Sequence, residues 1–88
     1  MAWEIEFSPR AVKAFKKLGT TEQRRIAKFL RELSTLDDPR SRGKALTANK
    51  TGLWRWRVGN YRIIADIIDD HLVVLVVDVG HRSTIYTN

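Results

Sequence analysis

The chain has 88 residues and carries 16 lysines and arginines against 10 aspartates and glutamates, a formal charge of +6. That length makes one small domain with no room for a second, and the excess of cations points to an acidic partner, nucleic acid first. The absence of cysteine excludes a disulfide framework and thiolate metal or redox chemistry; two histidines, His71 and His81, are too few for a histidine metal site, so neither a metal nor another cofactor is expected.

At the amino terminus, Met1-Ala2-Trp3-Glu4-Ile5-Glu6 has no basic region followed by an apolar stretch, so no signal peptide is expected. The longest apolar run, residues 72–77, is far short of the ~20 residues of a membrane helix. A cytoplasmic protein without a membrane partner is the expectation. Trp3-Glu4-Ile5-Glu6-Phe7 alternates apolar and acidic residues, the pattern of a half-buried strand. Ser8-Pro9 then opens a helix, with Ser as N-cap and Pro at the first helical position. Val12, Phe15 and Leu18 give this helix its apolar side, and Gly19 stops it beside Lys16-Lys17.

Thr20-Thr21-Glu22 caps a second helix with an apolar stripe of Ile26, Phe29, Leu30, Leu33 and Leu36. Its other side carries Arg24, Arg25, Lys28 and Arg31, either a solvated face or a contact for a polyanion backbone. Asp37-Asp38-Pro39 ends the helix, because the residue before proline resists helical ψ. Residues 39–51 read as a basic loop in which Lys44 and Lys50 are either substrate contacts or solubilising surface. Three strands follow at residues 53–59, 61–68 and 72–79, with Asp69-Asp70 as the second turn. The last strand is apolar on both faces and belongs inside the sheet. The expected fold is α+β: an N-terminal strand, then a two-helix hairpin packed on one face of a small, mostly antiparallel sheet, in the order β-α-α-β-β-β.

Gly59-Asn60 suits a two-residue hairpin turn that needs positive φ. The turn sets the register: Val58 faces Tyr61, Arg57 faces Arg62, Trp56 faces Ile63, Arg55 faces Ile64 and Trp54 faces Ala65. By alternation across the pleat, Trp54, Trp56, Val58, Tyr61, Ile63 and Ala65 share a core face, while Arg55, Arg57, Arg62 and Ile64 share the other, which is left partly open. Like charges directly opposite cost ~0.2–1 kcal/mol. Arg57 and Arg62 therefore either splay into water, are neutralised by acids such as Asp66 or Asp78, or form a clamp for phosphate, whose oxygens fit the guanidinium fork.

No Gly-rich phosphate loop, Gly-x-Ser-x-Gly elbow, Cys nucleophile or acidic metal cluster is present in the sequence. What remains is a metal-free set of Arg, Tyr and His or Lys. Such a set can cleave RNA, whose own 2′-hydroxyl is the nucleophile, by orienting it and neutralising charge on the phosphorane.

The strings Gly52-Leu53-Trp54-Arg55-Trp56-Arg57-Val58-Gly59-Asn60-Tyr61-Arg62-Ile63-Ile64 and Val79-Gly80-His81-Arg82-Ser83-Thr84-Ile85-Tyr86, with Phe7-Ser8-Pro9-Arg10-Ala11, resemble the RelE/ParE superfamily of bacterial type II toxins, the RelE-like branch most. The resemblance covers nearly the whole chain. It implies a metal-independent endoribonuclease that cleaves messenger RNA in the A site of the translating ribosome. Its implied partner is a small acidic antitoxin that holds it in a heteromeric complex. It also implies roles: Arg62 stabilises the transition-state phosphate, Arg82 acts on the leaving group or phosphate, and Tyr86 orients the reacting nucleotide. Arg55 and Arg57 align with a basic pair that is lysine in the best-known pattern, and arginine is a poor base. His81 is either the substitute, being able to move protons near neutral pH, or a loop histidine packed against the strand end. Two further readings stay open, a ParE-like DNA gyrase inhibitor that acts by binding and a non-catalytic RNA-binding module.

Overall fold

The computed structural model describes residues 3–46 and 52–81. Strand β1 (Glu4–Phe7) leads through Ser8 into helix α1 (Pro9–Lys16). Ser8 is extended, its hydroxyl accepts the Ala11 N–H at 3.1 Å, and Pro9 takes the first helical turn, where a missing N–H costs nothing. Helix α2 (Thr20–Ser34) follows, capped by Gly19 and not by the Thr20-Thr21-Glu22 segment. Between the helices, the Gln23 side chain donates to the carbonyls of Phe15 and Leu18 at 3.0 and 3.1 Å, supplying donors that α1 lacks at its end. Helix α2 stops at Ser34, earlier than Pro39 alone requires. The Ser34 and Thr35 hydroxyls donate to the Arg31 and Glu32 carbonyls at 2.6 and 2.7 Å, which competes with continuation of the helix.

Residues 39–51 depart from the expected loop. Their described part contains a 3-10 turn at Pro39–Ser41 and a short strand β2 (Lys44–Ala45). Strands β3 (Leu53–Val58), β4 (Tyr61–Ile68) and β5 (Val73–His81) complete a five-stranded sheet of order β1-β5-β4-β3-β2. Strand β1 runs parallel to β5, and the other pairs are antiparallel. The β3–β4 register is the one deduced from the turn, from Trp54 opposite Ala65 to Val58 opposite Tyr61. Gly59 has φ +60 and Asn60 does not have positive φ, the pattern of a type II′ turn.

Strand β5 lies inside the sheet, as its two apolar faces require, but it is not regular. A bulge between the pairs Ile64–Asp78 and Ala65–Val76 lets Val74, Val76 and Val79 all face the helices. Leu72 launches β5 from a left-handed conformation (φ 53, ψ 48), a cost of ~1–2 kcal/mol, while its side chain packs on the core. That core is built from Ala11, Ile26, Leu30 and Leu33 of the helices against Trp56, Val58, Ile63, Ala65, Ile67, Val74, Val76 and Val79 of the sheet. Both helices therefore cover one face and leave the arginine face uncovered by them. Among the described residues no helix is long and apolar enough to cross a membrane.

Leu33 is fully buried where α2 meets the sheet. Leu33→Ala is expected to remove ~2–5 kcal/mol of stability through lost burial and the cavity left behind. Urea denaturation checks this: the midpoint should fall while the slope stays unchanged.

Candidate active site

The site begins with the chain between α2 and β2, where a single 3-10 turn supplies few backbone partners for its carbonyls. All three tryptophans donate to this segment: Trp3 Nε1 to the Asp37 carbonyl at 3.2 Å, Trp56 Nε1 to Pro39 at 3.2 Å and Trp54 Nε1 to Arg42 at 2.7 Å. Trp56 and Trp3 are buried and need an acceptor for the indole N–H, which loop carbonyls supply, while the Trp54 bond is exposed. The Asp38 carboxylate accepts the Arg40 N–H at 2.9 Å. The Arg40 guanidinium donates both Nη atoms to Asp69 at 3.0 and 2.8 Å, fastening this segment to the turn between β4 and β5. Arg42 lies 3.7 Å from Glu32 on α2.

Gly43 follows with φ +81, and a Cβ there would fall 2.2 Å from the Arg55 carbonyl oxygen, 2.7 Å from Trp56 Cδ1 and 2.9 Å from Trp54 Nε1. Only glycine lets the chain pass this close to β3. Immediately afterwards Lys44 pairs opposite Arg55 and Ala45 opposite Trp54. Directly opposed residues share a face, so Lys44 joins the arginine face.

The result is a cleft of about 250 Å³ lined by Gly43, Lys44, Arg55, Trp56, Arg57 and Arg62. Four cationic side chains converge there, and no carboxylate is among the described lining residues. The repulsion between Arg57 and Arg62 is handled unequally. Arg57 is exposed, whereas Arg62 is only 7% exposed, so of the alternatives left open by the sequence the two side chains do not both splay into water. Arg62 sits between Arg57 and Gly80 across the sheet, and Gly80 adds no side chain beside it. Of the acids offered as counter-ions, Asp78 pairs with Arg10 of α1 at 3.4 Å.

His81 is not brought to this cleft. It pairs opposite Tyr61, and the two rings meet edge-on at 5.6 Å on the helix side of the sheet. Lys50, Arg82 and Tyr86 lie outside the described residues. The basic residues of α2 do not extend the cleft as one stripe. Arg25 reaches the hairpin turn, its Nη1 3.1 Å from the position of a Gly59 Cβ, while Arg31 borders a separate apolar groove of about 650 Å³ with Lys16, Trp3, Ile5, Phe7, Val12, Phe15 and Leu30. Among the described residues no cluster of three or more His, Cys, Asp or Glu could hold a metal ion.

The model of the ParE toxin of the type II toxin–antitoxin system parDE matches residues 5–86, and the chain belongs to this family. It is 33% identical over 90 residues to the mRNA interferase toxin RelE of Escherichia coli strain K12, spanning 99% of this chain and 93% of that protein. Among solved structures it resembles the toxin–antitoxin complex RelBE2 from Mycobacterium tuberculosis, with a TM-score of 0.84 and 27% identity over 94% of each chain. It also resembles the isolated E. coli RelE toxin, with a TM-score of 0.73 and 28% identity over 97% of this chain and 92% of that one. The two helices on a five-stranded mixed sheet are the fold of these toxins, as the α+β expectation had it.

Gly43 and the tryptophan clamp were not anticipated from sequence. The available signal was three tryptophans, each with an indole N–H that needs an acceptor when buried. Gly43→Ala is expected to push β2 off β3: the thermal midpoint should fall, and the amide signals of Arg55 and Leu46 should shift in an NMR spectrum. The Arg40 guanidinium, hydrogen-bonded to Asp69, holds that carboxyl below its ordinary value of 3.8. A lowered carboxyl stabilises the fold above its unfolded value and stops doing so as pH falls through the folded one. Asp69→Asn should therefore lower the melting midpoint at pH 7, and the difference from the unsubstituted protein should vanish on acidification, as followed by circular dichroism.

Proposed function

We propose that the chain is the toxin of a toxin–antitoxin pair and a metal-independent endoribonuclease, cutting messenger RNA in the A site of the translating ribosome in the cytoplasm. The observation that carries this reading is the cleft in which Lys44, Arg55, Arg57 and Arg62 converge around space for an oxyanion. The 33% identity to an mRNA interferase supports it. In the proposed reaction the RNA 2′-hydroxyl attacks the adjacent phosphorus. The guanidinium of Arg62 stabilises charge growing on the nonbridging oxygens, and Arg55 and Arg57 hold the strand. Held donors of this kind contribute ~10²–10³-fold each. Arg82 acts on the leaving group or phosphate, Tyr86 orients the nucleotide, and Lys50 with Lys44 contacts the substrate backbone.

The partner in this reading is an acidic, RelB-like antitoxin. The solved RelBE2 complex is a toxin–antitoxin assembly of the same fold. In this chain the apolar groove bordered by Lys16 and Arg31 offers a match for an amphipathic, acidic segment. A second reading, inhibition of DNA gyrase by binding, is favoured by the match to the ParE toxin model.

The test adds purified protein to ribosomes programmed with a defined message and maps new 5′ ends by primer extension, with a gyrase supercoiling assay in parallel. Cleavage at codons in the A site is expected. Arg62→Ala should slow it by ~10²-fold or more, and Arg82→Ala and Tyr86→Phe should abolish growth arrest while antitoxin binding persists. Intact message together with lost supercoiling would replace this reading with the gyrase one.

A further inference from the structure

We propose that Lys44 is the proton acceptor of the cleavage reaction, an inference that rests on the ribonuclease reading above. The cleft holds three arginines and one lysine among its described lining residues. Arginine stays protonated in proteins, so Arg55, Arg57 and Arg62 can bind a phosphate but cannot take a proton from the 2′-hydroxyl. His81, the substitute offered by sequence, has its ring against Tyr61 on the helix side of the sheet. Lys44 is the described lining side chain able to exist as a neutral amine and so to act as a base.

Its placement is built. Three indoles hold the carbonyls of residues 37, 39 and 42. Arg40 and Asp69 fasten the turn, and Gly43 permits the approach to the Arg55 carbonyl. The Leu46 N–H donates to the Leu53 carbonyl at 2.9 Å. Lys44 thus emerges opposite Arg55 on the cationic face, on a backbone fixed from both sides. The Lys44 side chain is exposed, and what the frame fixes is its backbone position opposite Arg55.

In the step assigned here, the neutral Nζ of Lys44 takes the 2′-hydroxyl proton as the 2′-oxygen bonds to phosphorus. The bond from phosphorus to the 5′-oxygen breaks, and that oxygen takes a proton from water or a neighbouring acid. The products are a 2′,3′-cyclic phosphate and a 5′-hydroxyl. No electron is transferred and no co-reactant is consumed. The arginines carry the phosphorane charge throughout.

The test compares single-turnover cleavage on programmed ribosomes by the unsubstituted chain, Lys44→Arg, Lys44→Ala and Lys50→Arg, with circular dichroism of each variant to check its fold. Lys44→Arg keeps the charge and loses the base. It is expected to lower the maximal rate by ~10²-fold or more with little change in the concentration for half-maximal rate. The rise of rate with pH expected of the unsubstituted chain if an amine is the base should be absent from this variant. Lys44→Ala should regain activity when methylamine is added, with the gain following the neutral amine as pH rises, a response that a structural role would not produce. A folded Lys44→Arg that cleaves at the full rate would overturn the assignment, as would loss of cleavage in Lys50→Arg but not in Lys44→Arg. If the unsubstituted chain itself leaves the message intact, the ribonuclease reading falls and the assignment falls with it.

Discussion

Three indole N–H groups hold the segment on which the cleft depends. Between α2 and β2 the backbone has only one 3-10 turn and no ladder, so most of its polar groups need partners from elsewhere. Trp3, Trp54 and Trp56 each send an N–H to one of its carbonyls, at residues 37, 42 and 39. Each bond contributes only ~1 kcal/mol net, but leaving a buried indole without an acceptor would cost more. The tryptophans are therefore matched to this path of the chain. Trp56 also belongs to the core under the helices, so core packing and loop placement are one constraint. The Arg40–Asp69 pair is exposed and adds little by itself; its bidentate geometry fixes direction.

That constraint sets the electrostatics of the opposite face. With β2 held against β3, Lys44 stands beside Arg55, and four cations line one small cleft. Such an arrangement opposes folding slightly, since like charges meet across strands. It persists because the rest of the sheet is anchored by a core of aliphatic and aromatic side chains that does not involve these cations. A polyvalent anion entering the cleft would relieve that repulsion.

Membership of the ParE toxin family and similarity to RelE place the chain where one fold serves two kinds of toxin. Fold alone does not choose between them. What distinguishes this chain is the chemistry on the uncovered sheet face. Its basic pair on β3 consists of arginines, which bind well and deprotonate poorly, and a lysine is contributed from a neighbouring strand. Under the proposed assignment, the groups that would bind phosphate and the group that would move a proton sit on different strands, linked by the glycine that lets them approach.

The α+β class, the Ser8-Pro9 helix start, the interior position of β5 and the full β3–β4 register were legible in the sequence. All of them follow from local rules: period-two and helical apolar spacing, a capping hydroxyl, and a Gly-Asn turn that fixes which residues face one another. Where local rules compete, the structure went its own way. Helix α2 ended at Ser34 because two hydroxyls took its last carbonyls, and the run of valines in β5 concealed a bulge because apolar residues on both faces erase the alternation that would mark it. Of the candidate site, the shared face of Arg55, Arg57 and Arg62 was legible from the Gly59-Asn60 turn, and the rest only as residue types. That Arg57 is exposed while Arg62 is buried, that His81 turns to Tyr61, and that Lys44 joins the arginines were decided by tertiary structure. Each depends on strand pairing or on contacts between residues far apart in the chain, and composition and spacing carry no record of those.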